Sequence, residues 1–212
     1  RKLMVPAAEI VCWTGLLIII YTYVGYPLLL LLLVTVKKIF WKSASYEQNP
    51  GEEPAITLIV TAYNEEKILK EKILNTLQLD HPQQNFNIIF NTDGSTDSSN
   101  DILKQHPSIK LLYEPQRKGK LAAMNRSIQY AEPGIVIFSD ANTLLNKDCI
   151  NNILPHFKDP KVGGVAGEKK IFAEDGVAGG EGAYWKYESL LKRLDSNLYS
   201  VVGAAGELFA IR

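Results

Sequence analysis

The chain opens with an almost uncharged apolar run, Ile10 to Val36 (IVCWTGLLIIIYTYVGYPLLLLLLVTV), and only later breaks into short alternating segments. At a helical rise of ~1.5 Å per residue the run predicts a helix of about 40 Å, enough to cross a bilayer with some tilt. Pro27 removes a backbone donor inside it and predicts a kink, which membrane helices tolerate. The run is too long for a secretory signal and lacks a small-residue cleavage site. Lys37, Lys38 and Lys42 follow it beside Trp41, whereas Arg1, Lys2 and Glu9 precede it. That bias predicts a cytosolic C-terminal side, at an inner or plasma membrane. Residues 1–42 are thus assigned to a membrane helix with a basic juxtamembrane segment. Ser43 to Pro54 (SASYEQNPGEEP) follows as a polar Pro/Gly linker.

From residue 55 onward strand-like and helix-like periods alternate. AITLIVTA (55–62) reads as a buried strand, and 65–79 as an amphipathic helix with Ile68, Leu69, Ile73, Leu74 and Leu77 inward. FNIIFNT, IKLLYE and IVIFSD predict three more strands, with helices over 97–105, 120–131 and 148–157. VGGVAGEKKIF predicts a fifth strand, 181–198 a longer helix, and ELFAI a last strand. The fold class is α/β: a mostly parallel sheet with helices on both faces, preceded by one transmembrane helix.

Composition narrows the partners. The 212 residues carry a formal net charge of +0, which gives no footprint for nucleic acid. Cys12 and Cys149 lie far apart without metal-ligand spacing, and read as packing residues. His81, His106 and His156 sit next to or near prolines, in surface turns. Arg1 in place of Met, and an end directly after ELFAI, read as a piece of a longer protein.

In an open α/β sheet the chemistry lies beyond the carboxyl ends of the strands, at the point where strand order reverses. Three such ends carry acids: Tyr63, Asn64 and Glu65 after the first strand, Asp93, Gly94 and Ser95 after the second, Asp140 and Asn142 after the fourth. Asn64 with Glu65, or TDGSTD (92–97), would also serve as helix caps and turns. Lys118-Gly119-Lys120 would be an ordinary basic turn. Asp140 with Asn142 is the stronger signal, since carboxylate and amide oxygens suit Mg²⁺ or Mn²⁺ and leave positions open for phosphate oxygens. Neither a G-x-x-x-x-G-K-[ST] loop nor a G-x-G-x-x-G turn is present. A nucleoside diphosphate here would need a metal and Lys120 for its charge.

The motif order TAYNEE, NTDGSTDSS, GKLAAMN, FSDANT and GAAGELFAIR resembles the family 2 glycosyltransferases, in particular the membrane-anchored, cellulose-synthase-like branch. VGYPLLL, DPKVGGVAGE and GEGAYWKYESLLKR fit that branch too, so the resemblance covers nearly the whole chain. It implies a GT-A fold over residues 55–212 and inverting transfer of a sugar from a nucleotide sugar, with UDP as the expected nucleotide. The acceptor would be a hydroxyl of a saccharide or a lipid-linked molecule. By the family pattern Ala62, Tyr63 and Glu65 line the nucleoside pocket with Gly94 nearby, and Asp93 hydrogen-bonds the base. Lys120 meets the donor, and Asp140 with Asn142 holds the metal on the diphosphate. Tyr184, Trp185 and Tyr187 would face sugar, membrane or core.

Two departures stand out. Asn142 replaces the second acid of the common metal motif, which removes one negative charge. The family's acidic general base falls beyond Arg212, so no catalytic residue is assigned within the chain. The rival readings are a sugar-nucleotide pyrophosphorylase, a membrane-tethered binding scaffold with a degenerate site, and a phospho-receiver domain.

Overall fold

The computed structural model describes residues 4–40, 54–81, 85–168, 179–201, 203–204 and 206–212. The linker expected at 43–54 and the anchors Trp41 and Lys42 lie outside the described residues, apart from Pro54. Contacts divide the chain into two units, residues 1–45 with 170–203, and residues 46–169 with 204–212.

In the first unit one helix runs over Ala7–Phe40, 34 residues, long and apolar enough to cross a membrane. It comprises α1 (Met4–Ile20), a π-helical turn (Tyr21–Gly25) and α2 (Tyr26–Phe40). The π turn is the local answer to Pro27. Proline has no amide to offer and its ring crowds the carbonyl four residues back, so the helix widens before it. The Tyr26 amide accordingly reaches the Tyr21 carbonyl. The orphaned Tyr23 carbonyl accepts the Tyr187 hydroxyl at 3.1 Å. Tyr187 belongs to α7 (Gly179–Leu198), which also buries Leu194 against Leu30 and Val34. Lys37 closes the end of α7 by donating to the carbonyls of Asn197 and Leu198 at 2.9 and 2.7 Å.

The second unit carries, among the described residues, a six-stranded sheet in the order β3-β2-β1-β4-β6-β5. Its strands are β1 (Ala55–Ala62), β2 (Phe86–Asp93), β3 (Lys110–Glu114), β4 (Gly134–Asp140), β5 (Gly164–Ala166) and β6 (Leu208–Ile211). The first four are parallel, as the alternation of strands and helices predicts. β6 runs antiparallel to both β4 and β5, so ELFAI closes an edge by returning alongside β4. Of the strand expected at VGGVAGEKKIF, Gly164–Ala166 pairs in the sheet as β5, the flanking Val162, Gly163, Gly167 and Glu168 are not part of it, and 169–172 lie outside the described residues.

Side chains alternate across β1, β2 and β4. Ile56, Leu58, Val60, Ile88, Phe90, Ile135 and Ile137 face one core, shared with Leu69 and Ile73 of α3 (Glu66–Leu77) and Leu103 of α4 (Ser99–Lys104). Ile150 and Ile153 of α6 (Cys149–Ile153) join that side, followed by a 3₁₀ turn (Leu154–Lys158) where one helix was expected. Proline at 155 explains the change, since its missing amide cannot continue α-helical bonding. Ile59, Ile89, Val136 and Phe138 face the other core, with Met124 of α5 (Lys120–Ile128).

One expectation is corrected on α3. Leu74 and Leu77 do not point inward; they are 57% and 41% exposed. The buried stripe is Leu69, Lys72, Ile73 and Thr76, which obeys the helical three-and-four spacing but takes a charge in place of the leucines.

The tightest backbone approach in the sheet is at Gly134, where a Cβ would fall on the carbonyl oxygen of Ala55 in β1. The oxygen is backbone and a Cβ is fixed to the backbone by one bond, so neither can yield without moving a strand. Gly134→Ala is expected to destabilise the chain by at least the ~1–3 kcal/mol typical of overpacking. A thermal melt followed by circular dichroism would show it as a lowered midpoint.

Candidate functional site

β1 pairs with β2 on one edge and β4 on the other, so strand order reverses beside it. The registers place Thr61 opposite both Asn91 and Asp140, and Ala62 opposite Thr92. The carboxyl ends of the three strands therefore stop at one level, and a cleft opens above them. Ala62, Tyr63 and Glu65 line it from β1, Asp93 from β2, and Asp140 and Asn142 from β4. Gly119, Lys120 and Arg117 complete the wall from the turn before α5. Asn64, Ser95 and Lys118 of the neighbouring turns stand outside the wall, and so, alone among the residues that the family pattern assigns to the site, does Gly94. Its φ of +73° and the Arg117 amide, 2.7 Å from where a Cβ would sit, make it a close-approach glycine.

The turn residues divide between cleft and scaffold. Asn64, at φ 53°, accepts the Thr96 amide on Oδ1 at 2.8 Å. Asp97 accepts the Glu66 amide at 3.0 Å, while Glu66 accepts the Ser98 amide at 2.9 Å. Each loop thus caps the helix that starts in the other, satisfying amides left free at a helix start. Burial pushes the Asp97 carboxyl up. Hydrogen bonds from the Ser99 hydroxyl and from the Glu66 and Ser99 amides together outweigh it and hold its pKa below the ordinary value. In TDGSTD, then, Asp97 is a cap and Asp93 faces the cleft.

Asp93 is 5% exposed, and its Oδ2 accepts the amides of Lys118 and Gly119 at 2.8 and 2.6 Å. Its Oδ1 lies 3.5 Å from Arg126 Nη2. Asp93 therefore fastens the 117–120 turn to the end of β2. Gly119, at φ 92°, lets that turn enter α5, which begins at Lys120. Lys118 is drawn away from the cleft, its Nζ 2.8 Å from Glu114 Oε2, and that contact holds the Glu114 carboxyl below its ordinary pKa. Lys120 turns inward: its Nζ is 2.6 Å from Asp140 Oδ1 and 3.2 Å from the Gly206 carbonyl oxygen.

Asp140 and Asn142, a carboxylate and an amide side chain, line the same opening as Lys120. Among the described residues no three acidic, His or Cys side chains cluster as a protein-only metal cage. Such a donor set fits a hard divalent ion that draws its remaining ligands from a phosphate-bearing substrate. The turn bearing these residues is held from below by Lys72, whose Nζ donates to Ser139 Oγ at 2.8 Å and to the Thr143 carbonyl at 2.5 Å. Burial pushes the Lys72 ammonium down to about 8, with Cys149 and Asp140 pulling the other way. Cys149 is buried and free, its thiol pushed up to about 11 chiefly by desolvation, which suits a packing role.

A profile described as "Glycosyl transferase family 2" matches residues 57–205. The chain belongs to that family. Over 135 residues it is 28% identical to the poly-beta-1,6-N-acetyl-D-glucosamine synthase of Staphylococcus aureus (strain COL), covering 62% of this chain and 32% of the relative. The corresponding synthase of Staphylococcus epidermidis is 26% identical over 147 residues, covering 68% of this chain and 35% of that protein. The chain spans about a third of the length of these curated relatives. Among solved structures, mannosyltransferase PcManGT from Pyrobaculum calidifontis, in complex with GDP-Man and Mn²⁺, superposes with a TM-score of 0.70 at 26% identity. That match covers 90% of this chain and 53% of that one. TarS from S. aureus, in complex with UDP-GlcNAc, is similar in fold, with a TM-score of 0.50 at 23% identity over 58% of this chain and 36% of its own. The GT-A fold follows for this family 2 member, and the pyrophosphorylase and receiver readings lose their ground.

Arg117 carries no sequence signal of its own: a single arginine in a basic turn reads as solvated. In the fold its guanidinium lies 3.8 Å from the centroid of the Tyr63 ring, and both side chains border the cleft. A cation over an aromatic face is worth ~0.5–2 kcal/mol, more as water is excluded. Arg117→Ala is expected to weaken nucleotide binding by about 2- to 30-fold, the range that energy implies, while leaving the fold intact. Titration of the variant with UDP beside the unsubstituted chain measures it.

Proposed function

We propose that this chain is the donor-binding part of an inverting glycosyltransferase. It would move a sugar from a nucleoside diphosphate, UDP in the first reading, to a hydroxyl of a saccharide or lipid-linked acceptor in polysaccharide or glycoconjugate synthesis. The observation that carries this is the pairing of Lys120 with Asp140, beside Asn142, at the point where strand order reverses next to β1. A transferred sugar leaves a diphosphate behind, and that leaving group needs positive charge placed in advance. Lys120 supplies one such charge from the N-terminus of α5. Asp140 and Asn142 would hold Mg²⁺ or Mn²⁺, which when bound supplies Lewis-acid stabilisation of the leaving diphosphate.

The other residues bind and orient. Ala62, Tyr63 and Glu65 form the wall for the nucleoside, and Arg117 braces the Tyr63 ring. Asp93 Oδ1, which accepts only a long 3.5 Å contact from Arg126, is the oxygen offered to the base, since Oδ2 is taken by two amides. Residues 10–36 would span an inner or plasma membrane with the transferase unit on the cytosolic side, supported by the long apolar helix and the lysines that follow it.

A second reading of the nucleotide, GDP, is favoured by one observation: the Pyrobaculum mannosyltransferase was solved with GDP-Man and Mn²⁺. Calorimetric titration of the intact chain in detergent micelles with UDP and with GDP, each with and without Mn²⁺, separates the two. Binding of one nucleotide that tightens with Mn²⁺, and loses that dependence in a folded Asp140→Ala variant, is the expected result. Failure of both nucleotides to bind a folded chain would favour a degenerate, non-catalytic scaffold.

A further inference from the structure

Helix α3 turns a lysine into the core. Lys72 is 0% exposed, and a buried ammonium is costly unless its hydrogens find acceptors. Closing a loop does not require one, since an apolar side chain of the same length would fill the space. The acceptors it has found are therefore informative. Ser139 Oγ lies on one side of the Asp140–Asn142 segment and the Thr143 carbonyl on the other. One turn along the same helix, Asn75 clamps the next position twice: its Nδ2 donates to the Leu145 carbonyl at 2.8 Å and its Oδ1 accepts the Leu145 amide at 2.9 Å.

The cleft segment is thus bracketed at 139, 143 and 145 from beneath, by two side chains of one helix. Neither Lys72 nor Asn75 lines the cleft. Both act on groups next to those that do. Ser139 ends the run of fully buried β4 residues, and Asp140 is the first to emerge. Where the chain turns after that point decides whether the Asp140 carboxylate and the Asn142 amide meet the same opening.

We propose that Lys72, together with Asn75, is a positioning residue that holds the turn after β4 so that Asp140 and Asn142 converge on one divalent cation. The proposal rests on the functional reading above. A side chain that merely fills the core would, when replaced, weaken nucleotide binding with and without metal alike, through the unfolded fraction. A positioning residue acts on the metal-dependent part alone.

The test uses the intact chain in detergent micelles, titrated calorimetrically with UDP with and without Mn²⁺, and with Mn²⁺ in the presence of UDP, for the unsubstituted protein, Lys72→Met and Asn75→Ser. Hydrogen–deuterium exchange over residues 140–145 is measured alongside. Lys72→Met is expected to keep its metal-free UDP affinity, to lose about 10- to 100-fold in Mn²⁺ affinity, as loss of an outer-shell partner typically costs, and to exchange faster over 140–145 only. Unchanged Mn²⁺ affinity in a folded variant, or equal losses with and without the metal, overturns the proposal. If Lys72→Met does not fold, Asn75→Ser decides by the same measurements, because it deletes the second clamp and leaves the charge in place. If UDP binding to the unsubstituted chain is indifferent to Mn²⁺, the functional reading fails. Exchange over 140–145 then judges the clamp by itself: faster exchange supports it, unchanged exchange removes it.

Discussion

β1 is hydrogen-bonded on both edges, in parallel, to β2 and to β4, and that double register sets the position of every carboxylate in the cleft. Because side chains alternate with a period of two, sliding either neighbour by one residue would carry its apolar set to the wrong face. Ile56, Leu58 and Val60 on one face and Ile59 on the other, each with partners from β2 and β4, hold the register from both cores. The common level at which Ala62, Asp93 and Asp140 emerge is therefore a by-product of core packing.

Above the core, the wall is finished by polar groups that satisfy one another across loops. The first two β–α turns cap each other's helices, and Asp93 ties down the turn that presents Arg117 and Lys120. Lys72 and Asn75 do the same from below for the turn after β4. Most of these hydrogen bonds engage a backbone amide or carbonyl, so they order loops that would otherwise carry unpaired buried groups. The Lys120–Asp140 pair is of another kind. Its side chains are 46% and 27% exposed, and an ion pair open to water contributes little to stability. It is accordingly a contact that a diphosphate and its cation can replace, whereas the buried clamps stay in place.

The two units differ in where their apolar side chains lie. In the second, apolar side chains are interior and charges cap the loops. In the first, α1 and much of α2 expose apolar side chains along their length, and the backbone carbonyl released by Pro27 is met by a hydroxyl of α7.

Much of this was legible because it is local. Strand alternation, a long uncharged run and acids at successive strand ends are periodicities and adjacencies, and local backbone geometry reads them directly. Motif order placed Ala62, Tyr63, Glu65, Asp93, Lys120, Asp140 and Asn142 on one list, and the sheet brings them to one cleft. What the sequence alone could not settle were choices between residues of equal local standing. Leu74 and Lys72 both fit an amphipathic α3, and the stripe of Leu69, Ile73 and Thr76 that packs on the sheet takes Lys72 and leaves Leu74 to solvent. Arg117 and Lys118 are neighbours in one basic turn, yet one stacks on Tyr63 and the other pairs with Glu114. Gly94 reads as a site residue from its motif alone, and only the fold shows Arg117 packed where its Cβ would be. Lys118 finds Glu114 locally, but the partners of Lys72, Arg117 and Gly94 lie far away in sequence, and only the assembled sheet brings them within reach.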